Sequence, residues 1–379
     1  MRVYPSPPAM HISSSFDSGA IEIIRADAPD DIRLHIRADN AAEFRQWFYF
    51  RVSGVAQQAL TLRLLNAGAC TYADGWNGYQ ALASYDRQHW FRVPTDYDGQ
   101  VLTVRHTPEC DSVYYAYFIP YSYERHLDLI AQAAASTGVR VQHLGSSVQG
   151  RDLDEVVCGN GAQQVWIIAR QHPGESMTEW LIEGLLERLL DDADPVARRL
   201  AQLATLHIVP NMNPDGALLG NLRSNAAGAN LNREWMTPSL ERSPEVMHVR
   251  SAMHASGVDL FLDIHGDETL PYVFIDGSDM VPGYPAASAA QQDAFLARLQ
   301  QASPDFQREH GYAADRFSDE MLTLASKYVA HTFGCVSLTL EMPFKDNANL
   351  ADTVHGWSAA RSKRLGAALL DAVLAHVAR

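Results

Sequence analysis

Up to about Tyr121, hydrophobic residues recur mainly at every second position: Ile21 and Ile23, Leu34 and Ile36, Phe48 and Phe50, Leu60, Leu62 and Leu64, then Leu102 and Val104. Side chains along a strand point alternately to the two faces of its sheet. Short alternating runs cut by Gly, Asn and Asp turns therefore predict antiparallel strands with one buried face. About seven or eight such runs predict a β-sandwich over residues 1–121. After Ser122 the period changes. Nearly continuous apolar runs at 165–168, 206–209, 260–264 and 336–340 alternate with helical stretches at 179–190, 195–203 and 293–301, and a helix over about 357–376 closes the chain. Strands that are apolar throughout are covered on both faces. Residues 122–379 are thus predicted to form an α/β domain with a mixed, mainly parallel sheet and helices on both sides.

A chain of 379 residues fits two domains, and 47% hydrophobic residues are enough to fill their cores. With 30 Lys and Arg against 45 Asp and Glu, the net charge of -15 argues against nucleic-acid partners and anionic membranes. A local basic pocket for an acidic substrate remains compatible with that charge. Cys70, Cys110, Cys158 and Cys335 lie too far apart for a zinc knuckle or a redox pair and read as small buried hydrophobes. The N-terminal stretch is broken by Pro5, Pro7, Pro8 and the serines at 13–15, which does not fit a secretion signal. No run approaches the roughly 20 apolar residues of a membrane span. The expectation is a soluble, cytoplasmic protein with no membrane partner.

In open α/β sheets, ligands sit outside the carboxyl ends of the strands, so the residues following each predicted strand carry the candidate chemistry. The first strand is followed by Gln171-His172-Pro173-Gly174-Glu175, and the second by Asn211-Met212-Asn213-Pro214-Asp215-Gly216, then Arg223 and Asn232-Arg233. The third is followed by His265 and the fourth by Glu341. A His and a carboxylate three residues apart reach one ion, and a distant His completes a catalytic zinc site with an open fourth position. His172, Glu175 and His265 are the candidate ligands of one zinc per chain. Glu341 is the candidate base that takes a proton from the attacking water. Taken singly, a His-x-x-Glu pair is common, His265 suits a satisfied strand-end histidine and Glu341 a surface carboxylate; their joint placement is the signal. Asp263 shares the His265 face of its strand, either as an acceptor for that ring or as a buried Asp with a backbone partner. Arg223 and Arg233 flank a Gly/Asn-rich loop at the site's edge. The planar guanidinium fork suits Arg223 to polarising a scissile carbonyl and Arg233 to gripping a terminal carboxylate.

The chain resembles the zinc carboxypeptidases of the funnelin type, and within them the cytosolic carboxypeptidase branch, which has bacterial members. The resemblance rests on His172-Pro-Gly-Glu175, Asn213-Pro-Asp-Gly216 leading to Arg223, Asn230-Leu-Asn232-Arg233-Glu-Trp235, Asp263-Ile-His265-Gly-Asp267 and Thr339-Leu-Glu341-Met-Pro-Phe344. It extends to Gly75-Trp76, Ala83-Ser-Tyr-Asp-Arg87 and Tyr117-Phe-Ile-Pro-Tyr-Ser122 in the first part of the chain. It implies zinc on His172, Glu175 and His265, Glu341 as general base and later proton donor, and Arg223 as the oxyanion donor. Asn232 and Arg233 are the implied anchor for the substrate's terminal carboxylate. Many members carry Asp where this chain has Asn230, so a hydrogen bond to His172 uses an amide oxygen. The tyrosine that closes over substrate is not placed by a motif; Tyr312 and Tyr328 are the candidates.

The implied substrate is a peptide or protein C-terminus, with an acidic, glutamate end as in the deglutamylases, and Arg316 or Lys327 supplies the matching charge. Two rival readings are a zinc amidohydrolase of N-acyl amino acids and a non-catalytic peptide-binding protein. The front β-domain and the Asn-Arg-Glu-Trp motif oppose the first. A base beside the metal opposes the second.

Overall fold

The computed structural model describes residues 10–313 and 318–379. The alternating positions of the first third are buried between two five-stranded sheets, except Ile23, which is exposed with the rest of its edge strand. One orders His11–Ser13, Tyr49–Ser53, Ser112–Ala116, Leu82–Ser84 and Phe91–Arg92, and the other Glu22–Arg25, Ile32–His35, Leu60–Leu64, Leu102–His106 and Thr95–Tyr97. Leu60, Leu62 and Leu64 point inward while Thr61 and Arg63 between them are half-buried, as period two requires. One pairing departs from the antiparallel expectation: Ile32–His35 runs parallel to Leu60–Leu64. Between those two strands the chain crosses to the other sheet to form Tyr49–Ser53, and it returns in the original direction.

The second part is built on a seven-stranded sheet ordered Val139–Ser146, Asp152–Cys158, Ala204–Val209, Gln163–Ala169, Leu260–Asp267, Val336–Pro343 and Phe274–Asp276. Its four central strands are mutually parallel, and antiparallel strands complete both edges. Neighbouring residues of one apolar run serve opposite faces. Val165 and Ile167 join the core beneath helices Met177–Leu189 and Ala359–Val377, whereas Trp166 and Ile168 pack with Val246, Val249 and Val329 of helices Pro244–Ser256 and Ala325–Phe333. The first of these cores continues without a break into both sheets of the N-terminal part.

Helix Ala286–Ala302 begins well before the predicted 293. Its first turns are a small-residue run with strong helix propensity but no apolar stripe, so periodicity does not reveal them. Cys110 is exposed, which corrects the expectation of four buried thiols; Cys70, Cys158 and Cys335 are buried. Among the described residues no helix is long and apolar enough to cross a membrane.

Helices Met177–Leu189 and Ala359–Val377 touch backbone to backbone. A Cβ on Gly184 would lie 2.2 Å from the Lys363 carbonyl oxygen, and one on Gly366 2.0 Å from that of Leu181. Gly366→Val is therefore expected to lower stability by about 1–3 kcal/mol through overpacking, read as a lower denaturant midpoint. An unchanged midpoint would show that the helices separate at no cost.

Candidate metal and catalytic site

The strand order reverses between the parallel neighbours Gln163–Ala169 and Leu260–Asp267, because the strands that follow each of them in sequence lie on opposite sides of the pair, and the candidate residues gather at this switch point. Arg170 leaves the first strand with a left-handed backbone, φ 58°, which is costly for a residue with a side chain. Its buried guanidinium donates to the carbonyls of Pro173 and Tyr121 and to the Glu179 carboxylate, so the turn is held from three sides. The turn delivers His172 and Glu175 into the site. Gln171 is also buried; it donates to Asp263 (2.8 Å) and accepts from the Trp235 indole (2.9 Å). His265 and Glu341 lie within their strands, which run to Asp267 and Pro343, and not after them as expected. They are register partners on adjacent parallel strands, so both side chains emerge on the same face.

His172 Nδ1 and His265 Nδ1 are 3.1 Å apart. Glu175 bridges them, with Oε1 2.6 Å from the first and Oε2 2.9 Å from the second. The far nitrogens face oxygens. His172 Nε2 is 3.0 Å from Asn230 Oδ1, whose identity as acceptor is fixed by the Asn232 amide that donates to it. His265 Nε2 is 2.9 Å from Asp263 Oδ1, slightly off the line of a good hydrogen bond. The ring protons belong at Nε2, so both Nδ1 lone pairs and a carboxylate point at one another in a buried space. That arrangement repels itself without a cation. Donor atoms about 2.0–2.1 Å from a tetrahedral zinc are themselves about 3.3 Å apart, somewhat more than the 2.6, 2.9 and 3.1 Å found here, so the three groups need move apart only by tenths of an ångström to hold one. Burial, with the Arg223 charge beside it, pushes His172 down to about 3, which keeps the imidazole neutral and able to ligate. Burial also opposes charge on His265, but Asp263 and Glu175 outweigh it and hold its pKa well above normal. The same pair that retains a proton there favours a bound cation.

A cavity of about 380 Å³ opens over this cluster, and all seven predicted residues line it: His172, Glu175, Arg223, Asn232, Arg233, His265 and Glu341. Asn232 Oδ1 accepts from the Ala325 amide, and the Asn232 carbonyl accepts from Arg233. Arg223 and Arg233 are close enough for their charges to repel. Burial would lower the Arg223 pKa, but Tyr72 and the carboxylates Glu268, Glu175 and Glu341 reverse the effect. Glu341 is buried; its Oε1 accepts from the Tyr312 hydroxyl (3.1 Å), and its Oε2 has no hydrogen-bond partner among the described residues.

The structure separates the two tyrosines. Tyr312 reaches both Glu341 and Asp267 in the cavity, whereas Tyr328 packs on Trp235 and His254 and does not line it. Asp263 is the His265 partner and not merely a buried Asp. Sequence reasoning missed Tyr72 and Glu268 in the cavity wall and the supports Arg170 and Gln171. Glu268 and Asp267 could have been found by extending the third strand end past His265.

Two family models match the chain: "Cytosolic carboxypeptidase N-terminal domain" over residues 12–118 and "Zinc carboxypeptidase" over residues 123–356. The chain is 54% identical to a metallo-carboxypeptidase of Burkholderia cenocepacia, with a TM-score of 0.96 over 97% of this chain and 99% of that one. It is 46% identical to a metallo-carboxypeptidase of Pseudomonas aeruginosa solved with (2-guanidinoethylmercapto)succinic acid, with a TM-score of 0.94 over 97% and 100%. It is 30% identical to human cytosolic carboxypeptidase 4 over 321 residues, 70% of this chain but 28% of that protein. The chain therefore spans little more than a quarter of that relative's length.

Groups that orient a ligating histidine tune metal affinity. Asp263→Asn is expected to weaken zinc binding about 10–100-fold in chelator competition. Asn230→Asp, which places a carboxylate on His172, is expected to strengthen it. An Asn230→Asp protein that binds zinc more weakly would show that the His172 contact is not a basicity control.

Proposed function

The chain belongs to the zinc carboxypeptidase family, with a cytosolic carboxypeptidase N-terminal domain ahead of its catalytic domain, and from that premise we propose that it removes the C-terminal residue of peptides or proteins, with preference for an acidic, glutamate end. The observation that carries the reading is the meeting in one cavity of three side chains able to ligate a metal, a buried carboxylate and two arginines. In this reading residues 1–121 form the β-domain and 122–379 the catalytic domain, with one zinc held by His172, Glu175 and His265. Zinc, when bound, supplies Lewis acidity that polarises a carbonyl and eases removal of a proton from water.

The chain's own residues divide the remaining work. Asn232 and Arg233 hold the terminal carboxylate, which sets the last amide bond over Glu341. Burial and the neighbouring Glu175, Asp267 and Glu268 raise the Glu341 pKa well above the ordinary carboxylate value, against the pull of His265. It is thus a stronger proton acceptor than a free carboxylate, and its Oε2, buried and without a hydrogen-bond partner among the described residues, is the atom left to accept the proton. Glu341 takes that proton and returns it to the leaving amine. Arg223 donates to the oxyanion, a contribution worth about 10²–10³ in turnover for donors of this kind. Tyr312, whose hydroxyl bonds Asp267 and Glu341 beside the cavity, is in this reading the tyrosine that closes over the bound residue.

The acidic preference rests on Lys327. Its ammonium is buried in the cavity wall, bonded to Asp276 (2.8 Å) and the Gly277 carbonyl, next to the Ser326 and Thr339 hydroxyls. Arg316, the other candidate, lies outside the described residues. Asp276 offsets part of the Lys327 charge, so the preference is a matter of degree. A cytoplasmic location belongs to the same proposal and rests on the naming of the cytosolic relatives.

The test is zinc content together with release of the last residue from peptides ending in Glu, Phe and Lys. One zinc per chain, with Glu released fastest and release abolished in Glu341→Gln, is expected. Bound zinc without peptide cleavage would favour an acyl amino acid or a binding role, and absence of zinc would sink the ligand assignment. Lys327→Met is expected to cut the preference for Glu over Phe at least about tenfold, a difference of about 1.4 kcal/mol, and Asp276→Asn to increase it. A ratio unmoved by either change would remove Lys327 as its source.

A further inference from the structure

We propose that the N-terminal β-domain is a working part of the active site, with Asp39 and Tyr72 as positioning residues that fix Arg223. The inference rests on Arg223 acting as the oxyanion donor. Arg223 lies on the segment Leu219-Gly-Asn-Leu-Arg-Ser-Asn-Ala-Ala-Gly228, whose own bonds run from the Asn221 side-chain amide to the Ser224 carbonyl and from the Ala227 and Ala229 amides to Asn225, leaving the Leu222, Arg223 and Ser224 amides to a partner outside it. An oxyanion donor acts only if it is already in place when charge develops.

The fixing comes from more than 180 residues upstream. The buried Asp39 carboxylate accepts from three consecutive amides, Leu222 (2.6 Å), Arg223 (3.0 Å) and Ser224 (2.8 Å), and from the Ser224 hydroxyl (2.7 Å). Successive amides turned to one point form an anion-binding concavity, and here a β-domain side chain fills it. Neighbours of Asp39 hold both ends of the segment. Arg37 donates to the Leu219 carbonyl, and Asn40 and Asn221 exchange hydrogen bonds of 3.1 and 2.6 Å. At Gly228, φ 79°, a Cβ would lie 2.2 Å from the Ala41 carbonyl oxygen.

The guanidinium is held separately from the backbone. Its carbon lies 5.4 Å from the centre of the Tyr72 ring, within cation–π range. Gln46 binds Tyr72 at both its amide and its carbonyl, each at 2.9 Å. Three residues on, a Cβ at Gly75 would lie 2.7 Å from the Glu268 carbonyl oxygen, so this loop is seated directly on the cavity wall. The Leu222 carbonyl in turn accepts from the Gly174 amide at 2.9 Å, between His172 and Glu175. The residue that Asp39 holds is therefore bonded to the ligand loop, which sets Arg223 at a fixed distance from the metal ligands.

The test compares Asp39→Asn, Tyr72→Leu, Tyr72→Phe and Arg223→Gln in the full chain, alone and with Asp39 and Arg223 changed together, on the peptide the wild type cleaves best. Asp39→Asn and Tyr72→Leu are expected to lower kcat by up to about 10²-fold with little change in KM, zinc content or melting temperature. Amide exchange over 219–228 should quicken in Asp39→Asn, and Tyr72→Phe, which keeps the ring face, should retain most of the activity that Tyr72→Leu loses. Because Asp39 acts through Arg223, the double variant should be no slower than Arg223→Gln. Wild-type kcat and exchange in Asp39→Asn, or losses that multiply in the double variant, would overturn the inference. If Asp39→Asn does not fold, Tyr72→Leu decides it, unchanged kcat being the contrary result. Full activity in Arg223→Gln would instead refute the oxyanion role itself and the inference with it.

Discussion

Two imidazole nitrogens and a carboxylate meet in a buried space with their lone pairs facing one another. In water such groups would turn apart. Here the far nitrogens face the oxygens of Asn230 and Asp263, and the low-dielectric surroundings strengthen the demand for positive charge at the point of convergence. The rest of the site is arranged around that demand. Its carboxylates raise the proton affinity of Glu341, and its arginines lie close enough to moderate the negative charge without neutralising the base.

Holding that arrangement falls to backbone geometry. His265 and Glu341 are brought side by side by the register of two parallel strands, where a slip of one residue would turn either side chain to the opposite face. His172 and Glu175 come from a turn that begins with a left-handed arginine, whose buried side chain binds the turn it starts. Gln171 links that turn to the His265 partner Asp263 and to Trp235, so the two segments that carry the candidate ligands are tied by hydrogen bonds.

The two parts of the chain share one hydrophobic core and, at the cavity, one set of polar contacts. Lys327 and Asp276 show how the cavity handles its own charges: a buried ammonium is tolerated because a carboxylate and a carbonyl accept from it. Tyr312 is treated likewise, its hydroxyl spanning two carboxylates while its ring remains partly in solvent.

The period of the apolar residues was enough to read the change from two sheets of alternating strands to a parallel α/β sheet, and the polar residues at the ends of its central strands pointed to the three candidate ligands and the candidate base that the fold brings into one cavity. These features are legible because they are local: side-chain direction follows from backbone period, and His172 and Glu175 are three residues apart. Helix Ala286–Ala302 was only partly legible, since its first turns show propensity without periodicity. Tertiary structure alone put Tyr312 and not Tyr328 in the cavity, paired Lys327 with Asp276, and placed Asp39 and Tyr72 against Arg223. Those choices depend on where loops distant in sequence come together, and hydrogen bonds across more than 180 residues leave no period or spacing in the chain.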